Sequence, residues 1–224
     1  MSDIVNAQNI RLLPLVVAAA GAAVSLTQAA HAGGAPTTAP APTPTQQNLT
    51  PSVEKYLQAR GNFCMARYDW PIDVRAADRA SRSRDSVQLP VLESLGVVKS
   101  SPLPDDPEVT RYQLTDKGRQ SYLTQKISVR GRQGQPIEHS GDFCPAHLAL
   151  DRIVSWESTG TGEQAQLTVK YTYKVAHAAE WTSDPAAREV FPMMARLLDG
   201  AGKMELEQAF HWSGRAWEAL SPTD

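Results

Sequence analysis

The 224-residue sequence lacks the short motifs that identify the common enzyme classes. It has no Gly-x-Ser-x-Gly nucleophile elbow, no His-Glu-x-x-His zinc helix, no P-loop and no Gly-x-Gly-x-x-Gly dinucleotide fingerprint. His139, Ser140 and Asp142 are the residue types of a catalytic triad, but neighbours in sequence seldom adopt the spatial geometry of a triad. The sequence therefore predicts no catalytic residue, cofactor or metal and favours a protein that is not an enzyme. A hydrolase without a recognisable motif stays open as an alternative.

No charge of one sign dominates the chain. Lysine and arginine number 22 against 24 aspartates and glutamates, so the composition excludes a strongly basic or strongly acidic class of protein. The cations are nevertheless concentrated between residues 111 and 132, where only Asp116 interrupts them. They are Arg111, Lys117, Arg119, Lys126, Arg130 and Arg132. This basic stripe predicts either a surface for an anionic partner or a stretch that faces water or the acidic C-terminal end.

Cysteine is scarce: Cys64 and Cys144 are the two in the chain. Two cysteines in an exported chain predict one disulfide, which would close a loop of about 80 residues and contribute roughly 4.5 kcal/mol by the chain-entropy account. The alternative is a metal site, because Cys144 and His147 have a Cys-x-x-His spacing and His139 lies upstream. Zinc would need further ligands at recognisable spacing.

The chain has no uninterrupted apolar run of the roughly 20 residues that a membrane-spanning helix needs. Its longest is LLPLVVAAAGAAVSL, residues 12–26, which is followed by small residues at Ala30 and Ala32. This pattern is typical of a secretory signal peptide and predicts cleavage after Ala32, with export to the periplasm or the extracellular space and no stable membrane span afterwards. An uncleaved anchor is the alternative.

Residues 33–50 are rich in proline, threonine and alanine and carry no charge. Such a segment buries too little apolar surface to offset the entropy lost on ordering, so we expect a disordered linker. Thr50 and Pro51 then form a typical helix start, with a cap followed by proline at the first helical position. The linker is therefore predicted to end where this helix begins.

The folded chain is predicted to be α+β, with a helical part at residues 51–135. Within it, LESLGVV at residues 92–98 and RYQLTDKGRQSYL at residues 111–123 resemble the end of the recognition helix and the wing of winged-helix proteins. The resemblance runs from Ser86 to Leu123 and implies a helix, a β-hairpin and a closing helix capped by Thr115. It implies a fold and not DNA binding, because the reading helix carries Glu93 without Arg or Lys and an exported chain does not meet the chromosome.

Residues 136–224 are predicted to form an antiparallel sheet packed with the helical part, in the order strand, strand, helix, strand, strand. Alternation from Ala165 to Val175 indicates a half-buried strand. The preceding strand is expected to place a set of apolar side chains on one face. The members of that set are Leu148, Leu150, Val154 and Trp156. Asp184 and Pro185 start the helix, and Pro192 is expected to break it.

These observations together predict an exported, non-enzymatic envelope module. We expect it to bind another envelope protein or a small ligand, through the sheet or a groove beside the helix. The two alternatives are a protein that binds an anionic envelope polymer through the basic stripe and a hydrolase without a recognisable motif.

Overall fold

A computed structural model describes residues 40–161 and 164–220. The predicted signal peptide and residues 33–39 of the predicted linker lie outside this range. The elements are α1 Gln46–Arg60, β1 Asn62–Phe63, β2 Ile72–Arg75, α2 Ala76–Ala80, α3 Arg84–Ser94, β3 Val98–Leu103, β4 Asp106–Leu114, α4 Asp116–Arg119, β5 Tyr122–Arg130, β6 Pro136–Phe143, β7 Ala146–Thr159, β8 Gln166–Ala178, α5 Pro185–Val190, α6 Pro192–Asp199, β9 Glu205–Trp212 and β10 Trp217–Ala219. Within the described part, no helix has the length and apolar character needed to cross a membrane.

The first helix begins earlier than predicted. Thr45 is its N-cap: the Thr45 hydroxyl accepts a hydrogen bond from the Asn48 backbone N–H, and the Asn48 side chain accepts one from the Thr45 N–H at 2.8 Å. This reciprocal capping box satisfies two N–H groups that a helix start otherwise leaves unpaired. Leu49, assigned to the linker, is fully buried. The linker prediction is therefore wrong for residues 46–50, because the cap at Thr45 was missed and Pro51 lies inside the helix.

The C-terminal half forms the predicted antiparallel sheet. Five strands lie in the order β1-β7-β8-β9-β10, and all neighbours are antiparallel. The helical segment between β8 and β9 is divided at Phe191 and Pro192 into α5 and α6, as the proline predicts. The α+β class is confirmed, and from Ala146 onward the order strand, strand, helix, strand, strand is as predicted. The predicted bounds of the sheet are wrong, because β6 pairs with β5 outside it and β1, from the predicted helical part, forms one of its edges.

Strand β7 departs from the predicted alternation. Leu150 pairs with Tyr173 but Arg152 pairs with Thr172, so Asp151 is an extra residue. A bulge of this kind moves the following side chains to the opposite face. Ile153 is consequently buried, whereas Val154 is 42% exposed. Leu148 and Leu150 are buried as predicted, and the assignment of Val154 to their face is wrong. A second register shift between Ile153 and Ser155 restores the phase, so Trp156 pairs with the buried Val169 and lies on the predicted face, although it is 36% exposed.

The predicted closing helix is a single turn. Thr115 caps it, and Gly118 packs so closely on β3 that an added Cβ would lie 2.1 Å from the Val97 carbonyl oxygen. The prediction of a helix reaching Leu123 is wrong, because residues 122–130 alternate and are rich in strand-forming side chains. They form β5, which pairs with β6 as a two-stranded unit that we call the ribbon.

Two hydrophobic cores hold the fold together, and each combines residues from both predicted halves. In the first, α3 and the three-stranded sheet β2-β4-β3 pack with Phe143, Trp181 and Met194. In the second, the buried face of α1 packs on the five-stranded sheet and reaches Phe210 and Trp217. The division at residues 135 and 136 therefore does not separate two independent cores.

Candidate ligand-binding groove

The predicted disulfide is confirmed and anchors a loop that runs from Cys64 to Pro71. Cys64 and Cys144 are bonded, so neither sulfur is a free thiolate for a metal. The buried Asp142 carboxylate accepts hydrogen bonds from the backbone N–H groups of Ala66 at 3.2 Å and Arg67 at 2.8 Å. Ala66 has φ of +51°, a left-handed conformation that costs energy for a non-glycine residue. The disulfide and the Asp142 carboxylate together hold the loop backbone in this conformation.

Arg67 holds the same loop from the other side. Its side chain is almost fully buried, and its guanidinium lies 2.7 Å from an Asp85 oxygen and 2.5 Å from the Gln88 side-chain oxygen. Gln88 in turn donates a hydrogen bond to the Val190 carbonyl at 2.8 Å. Burial lowers the pKa of Arg67, and the charge of Asp85 opposes that shift. The loop, α3 and α5 are thereby joined through one buried cation.

The end of this loop forms one wall of a groove of about 510 Å³. The wall contains a cis peptide bond between Trp70 and Pro71. The other walls come from four different elements, β3, β4, β5 and β6, and from the single turn α4. The lining residues are Tyr68, Asp69, Trp70, Pro71, Lys99, Gln113, Leu114, Arg119, Tyr122 and Ser140.

Aromatic side chains in the groove are held in place from behind. The Tyr122 hydroxyl donates a hydrogen bond to the Tyr68 carbonyl at 2.6 Å. The Trp70 ring lies against Phe143, with 6.0 Å between ring centroids, and the Tyr68 ring stacks on His139 at 4.2 Å. The Trp70 indole nitrogen is inaccessible to solvent and has no acceptor among the described residues. The groove therefore presents a largely preformed aromatic surface.

The charged groups of the groove include two cations. Lys99 is exposed, and no acidic side chain of the described range pairs with it. Arg119 pairs with Asp116 and donates to the Leu114 carbonyl at 2.8 Å, which fixes its guanidinium beside the groove. Asp69 supplies the single carboxylate, and it lies 3.0 Å from Nδ1 of His139. The lysine is the charge left free to meet a ligand.

The candidate catalytic and metal groups named from sequence do not assemble into one site. His139 pairs with Asp69 and not with Asp142, whose oxygens accept the backbone N–H groups of the loop. Asp73, near the groove loop in sequence, forms two 2.7 Å hydrogen bonds with Arg111 and is not available as a free carboxylate. Those hydrogen bonds lower the pKa of Asp73. His147 contacts the Asn62 side chain at 2.9 Å and does not join the cysteines in a site.

The six cations of the basic stripe divide into two groups. Arg111 is paired with Asp73, Arg119 with Asp116, and Lys117 donates to the Leu95 carbonyl at 3.0 Å. The remaining three are exposed on the ribbon and pair with no acidic side chain in the part of the chain that the structure describes. These three are Lys126, Arg130 and Arg132. Within that part, none of the six pairs with the acidic residues that follow residue 180.

A smaller cavity of about 310 Å³ lies between α1 and β10. Tyr56 and Trp217 line it together with Lys55, Arg60 and Glu218. Its cations and its carboxylate come from exposed positions, and no described contact fixes them. The larger groove, in which ring contacts and the Tyr122 hydrogen bond hold the aromatic side chains and a hydrogen bond holds one cation, is the better-built site.

Comparison of the chain with protein-family models, with curated proteins and with solved structures gave no significant match.

Sequence reasoning missed most residues of the groove. Trp70 and Pro71 belong to no motif of a binding site, and Lys99 was one residue of a predicted hairpin. A usable signal was the stretch RYQLTDKGRQSYL, which contributes Gln113, Arg119 and Tyr122 to the walls. The other walls come from residues 68–71, from Lys99 and from Ser140, which no local pattern brings together.

Proposed function

We propose that this chain is an exported, non-enzymatic envelope module that binds a small ligand or a partner segment in the groove beside the Trp70-Pro71 loop. The observation that carries the proposal is the convergence of three aromatic side chains with an unpaired lysine in a cavity of about 510 Å³. Cavities of roughly 300 to 1,000 Å³, with apolar walls and few oriented polar groups, are typical of small-molecule sites.

The chemistry of the walls favours a ligand with a ring and an anionic group. Tyr68, Trp70 and Tyr122 offer ring surfaces, and flat groups stack on such surfaces with a gain of roughly 0.5 to 1.5 kcal/mol beyond area burial. Lys99 offers a point charge with three donors, and Arg119 adds a second cation at the rim. A carboxylate or phosphate attached to an aromatic or planar group would meet both features.

The proposal includes a winged-helix-like unit, and the order of the elements around the groove supports it. From β2 to β4 the order is strand, helix, helix, strand, strand, with the strands arranged β2-β4-β3. Glu93 of α3 accepts a hydrogen bond from the Ser100 N–H at 2.7 Å, so its carboxylate ties α3 to β3. We propose that this winged-helix-like unit supports a ligand groove and does not read DNA.

Export is proposed on the signal-like N-terminus, and the disulfide is compatible with it. Disulfides such as the one between Cys64 and Cys144 persist mainly in oxidising compartments. The two alternatives have narrower support. Attachment to an anionic envelope polymer now rests on the three ribbon cations. A hydrolase would use the pair of His139 and Asp69, but no hydroxyl or thiol among the described residues hydrogen-bonds to that imidazole.

The proposal is tested by titrating the chain from Gly33 to Asp224 with indole-3-acetate and phenyl phosphate in an isothermal titration calorimeter. This chain contains all the described contacts. We expect Lys99→Gln to weaken binding about tenfold, since a hydrogen bond to a charged group contributes roughly 1.5 to 3 kcal/mol. Lys174→Gln is the matched control, because Lys174 is an exposed lysine outside the groove.

Two results would contradict the proposal. One is the absence of saturable binding of either probe up to about 1 mM, the concentration that corresponds to a binding free energy near −4 kcal/mol. The other is binding that Lys99→Gln and Lys174→Gln weaken equally, which would place the anion outside the groove.

A further inference from the structure

The end of the ribbon, residues 126–138, has an excess of free positive charge. Lys126, Arg130 and Arg132 are exposed, and none of them pairs with an acidic side chain of the described residues. Glu138 is the one carboxylate in this stretch. A local surplus of cations attracts an anionic surface over a distance of about 10 Å at moderate salt.

The same ribbon end has an apolar face. Val129 pairs with Ile137, and Ile127 pairs with His139. Cross-strand partners share a face, so the three aliphatic side chains form one row, while Arg130 and Pro136 pair on the opposite face. Ile137 is 40% exposed, and no side chain from residue 128 to residue 138 is buried.

No other described strand pairs with the ribbon. Two-stranded units are marginal in isolation. The row, with Ile127 and Val129 half-buried and Ile137 exposed, is only partly covered and gains stability when something covers it. The base of the ribbon is held by the stacking of Tyr68 on His139, so its end projects from an anchored position. The anchored ribbon therefore holds its cations and its aliphatic side chains close together at one end.

We propose that the ribbon docks end-on on an anionic lipid bilayer, so that Val129 and Ile137 on one face enter the headgroup interface while Arg130 on the other face and Arg132 in the turn meet lipid phosphates. A bilayer offers both phosphates for the cations and an apolar boundary for the aliphatic row. A soluble anionic polymer offers only the charge. The proposal is independent of the groove and uses none of its lining residues.

The test measures partition of the chain from Gly33 to Asp224 into vesicles of phosphatidylglycerol and phosphatidylcholine, compared with vesicles of phosphatidylcholine alone. We expect binding to the anionic vesicles. Each cation near such a surface contributes about a fivefold gain in partition, so Arg130→Gln with Arg132→Gln should lower it about 25-fold. Ile137→Ser should lower it about fivefold, because the apolar contribution scales with area removed from water.

A charge-matched control is Lys203→Gln with Arg215→Gln, two exposed cations outside the ribbon. Near-ultraviolet circular dichroism checks that each variant is folded. Equal partition into both kinds of vesicle, or equal effects of the two double variants, would overturn the proposal. Loss with the arginine variant but no change with Ile137→Ser would also overturn it and would assign the ribbon to a soluble anionic polymer.

Discussion

Replacing Leu49 by alanine tests whether the ordered chain begins at Thr45 or only after the predicted linker. Leu49 is fully buried in the second core, where Val53 and Phe210 belong to the same cluster. Leucine-to-alanine changes at fully buried positions cost roughly 2.7 to 5 kcal/mol, the sum of lost transfer energy and a residual cavity. Leu49 lies in the first turn of α1, where the chain can relax into part of that cavity, so we expect about 3 kcal/mol.

The measurement is urea unfolding of the chain from Gly33 to Asp224, followed by tryptophan fluorescence. At about 2 to 4 °C per kcal/mol for a chain of this size, the midpoint of thermal unfolding should also fall by about 9 °C. Gln47→Ala is the matched control, since Gln47 is an exposed residue of the same turn and should change stability by less than about 0.5 kcal/mol. If Leu49→Ala is as mild as the control, the segment is a linker as first predicted and the buried position of Leu49 is wrong.

Three further predictions concern stability. Asp85→Asn should lower the free energy of unfolding in urea by about 2 kcal/mol, which is less than the roughly 3 to 5 kcal/mol of a wholly buried pair because Asp85 is partly exposed. Arg67→Met should lower it by less than Asp85→Asn does, because it leaves no buried charge unpaired. A larger loss for Arg67→Met than for Asp85→Asn would refute this reasoning. Replacing Cys64 and Cys144 together by alanine should lower the free energy of unfolding by up to about 4.5 kcal/mol. Thiol titration of the chain without substitutions, unfolded in denaturant, should find no free thiol, and two free thiols would contradict the disulfide. Burial raises the pKa of the Tyr171 phenol, so above about pH 10 the unfolded state ionises first and the free energy of unfolding falls as pH rises. Tyr171→Phe should make that fall less steep, and an unchanged slope between about pH 9 and 11 would count against a buried phenol.

Local patterns predicted the elements whose determinants are themselves local. The alternation around Leu167 and Val169 predicted β8, and Pro185 and Pro192 predicted where α5 and α6 begin. Sequence patterns failed where one extra residue changed the alternation of a strand, or where the signals for two kinds of structure overlapped. The extra residue at Asp151 put Ile153 in the buried place predicted for Val154, because a bulge depends on the neighbouring strand and has no periodic signature.

After Thr115, the capping signal correctly predicted a helix start, but the predicted helix was too long. The cap is present, but it serves one helical turn, after which strand-forming residues and pairing with β6 prevail. At the start of α1 the predicted helix was too short, because the proline-rich composition predicted a linker and the capping box of Thr45 and Asn48 was not recognised. The candidate groove could not be predicted from local patterns, because it forms only when the tertiary fold brings Tyr68, Lys99 and Tyr122 together.

The membership of the second core has a consequence for how the chain folds as it is delivered from one end. α1 is the first described element, and Trp217 of β10, which packs in the same core, is nearly the last. The first helix and the last strand of the described part therefore complete one core together, and neither can be fully packed before the other is present.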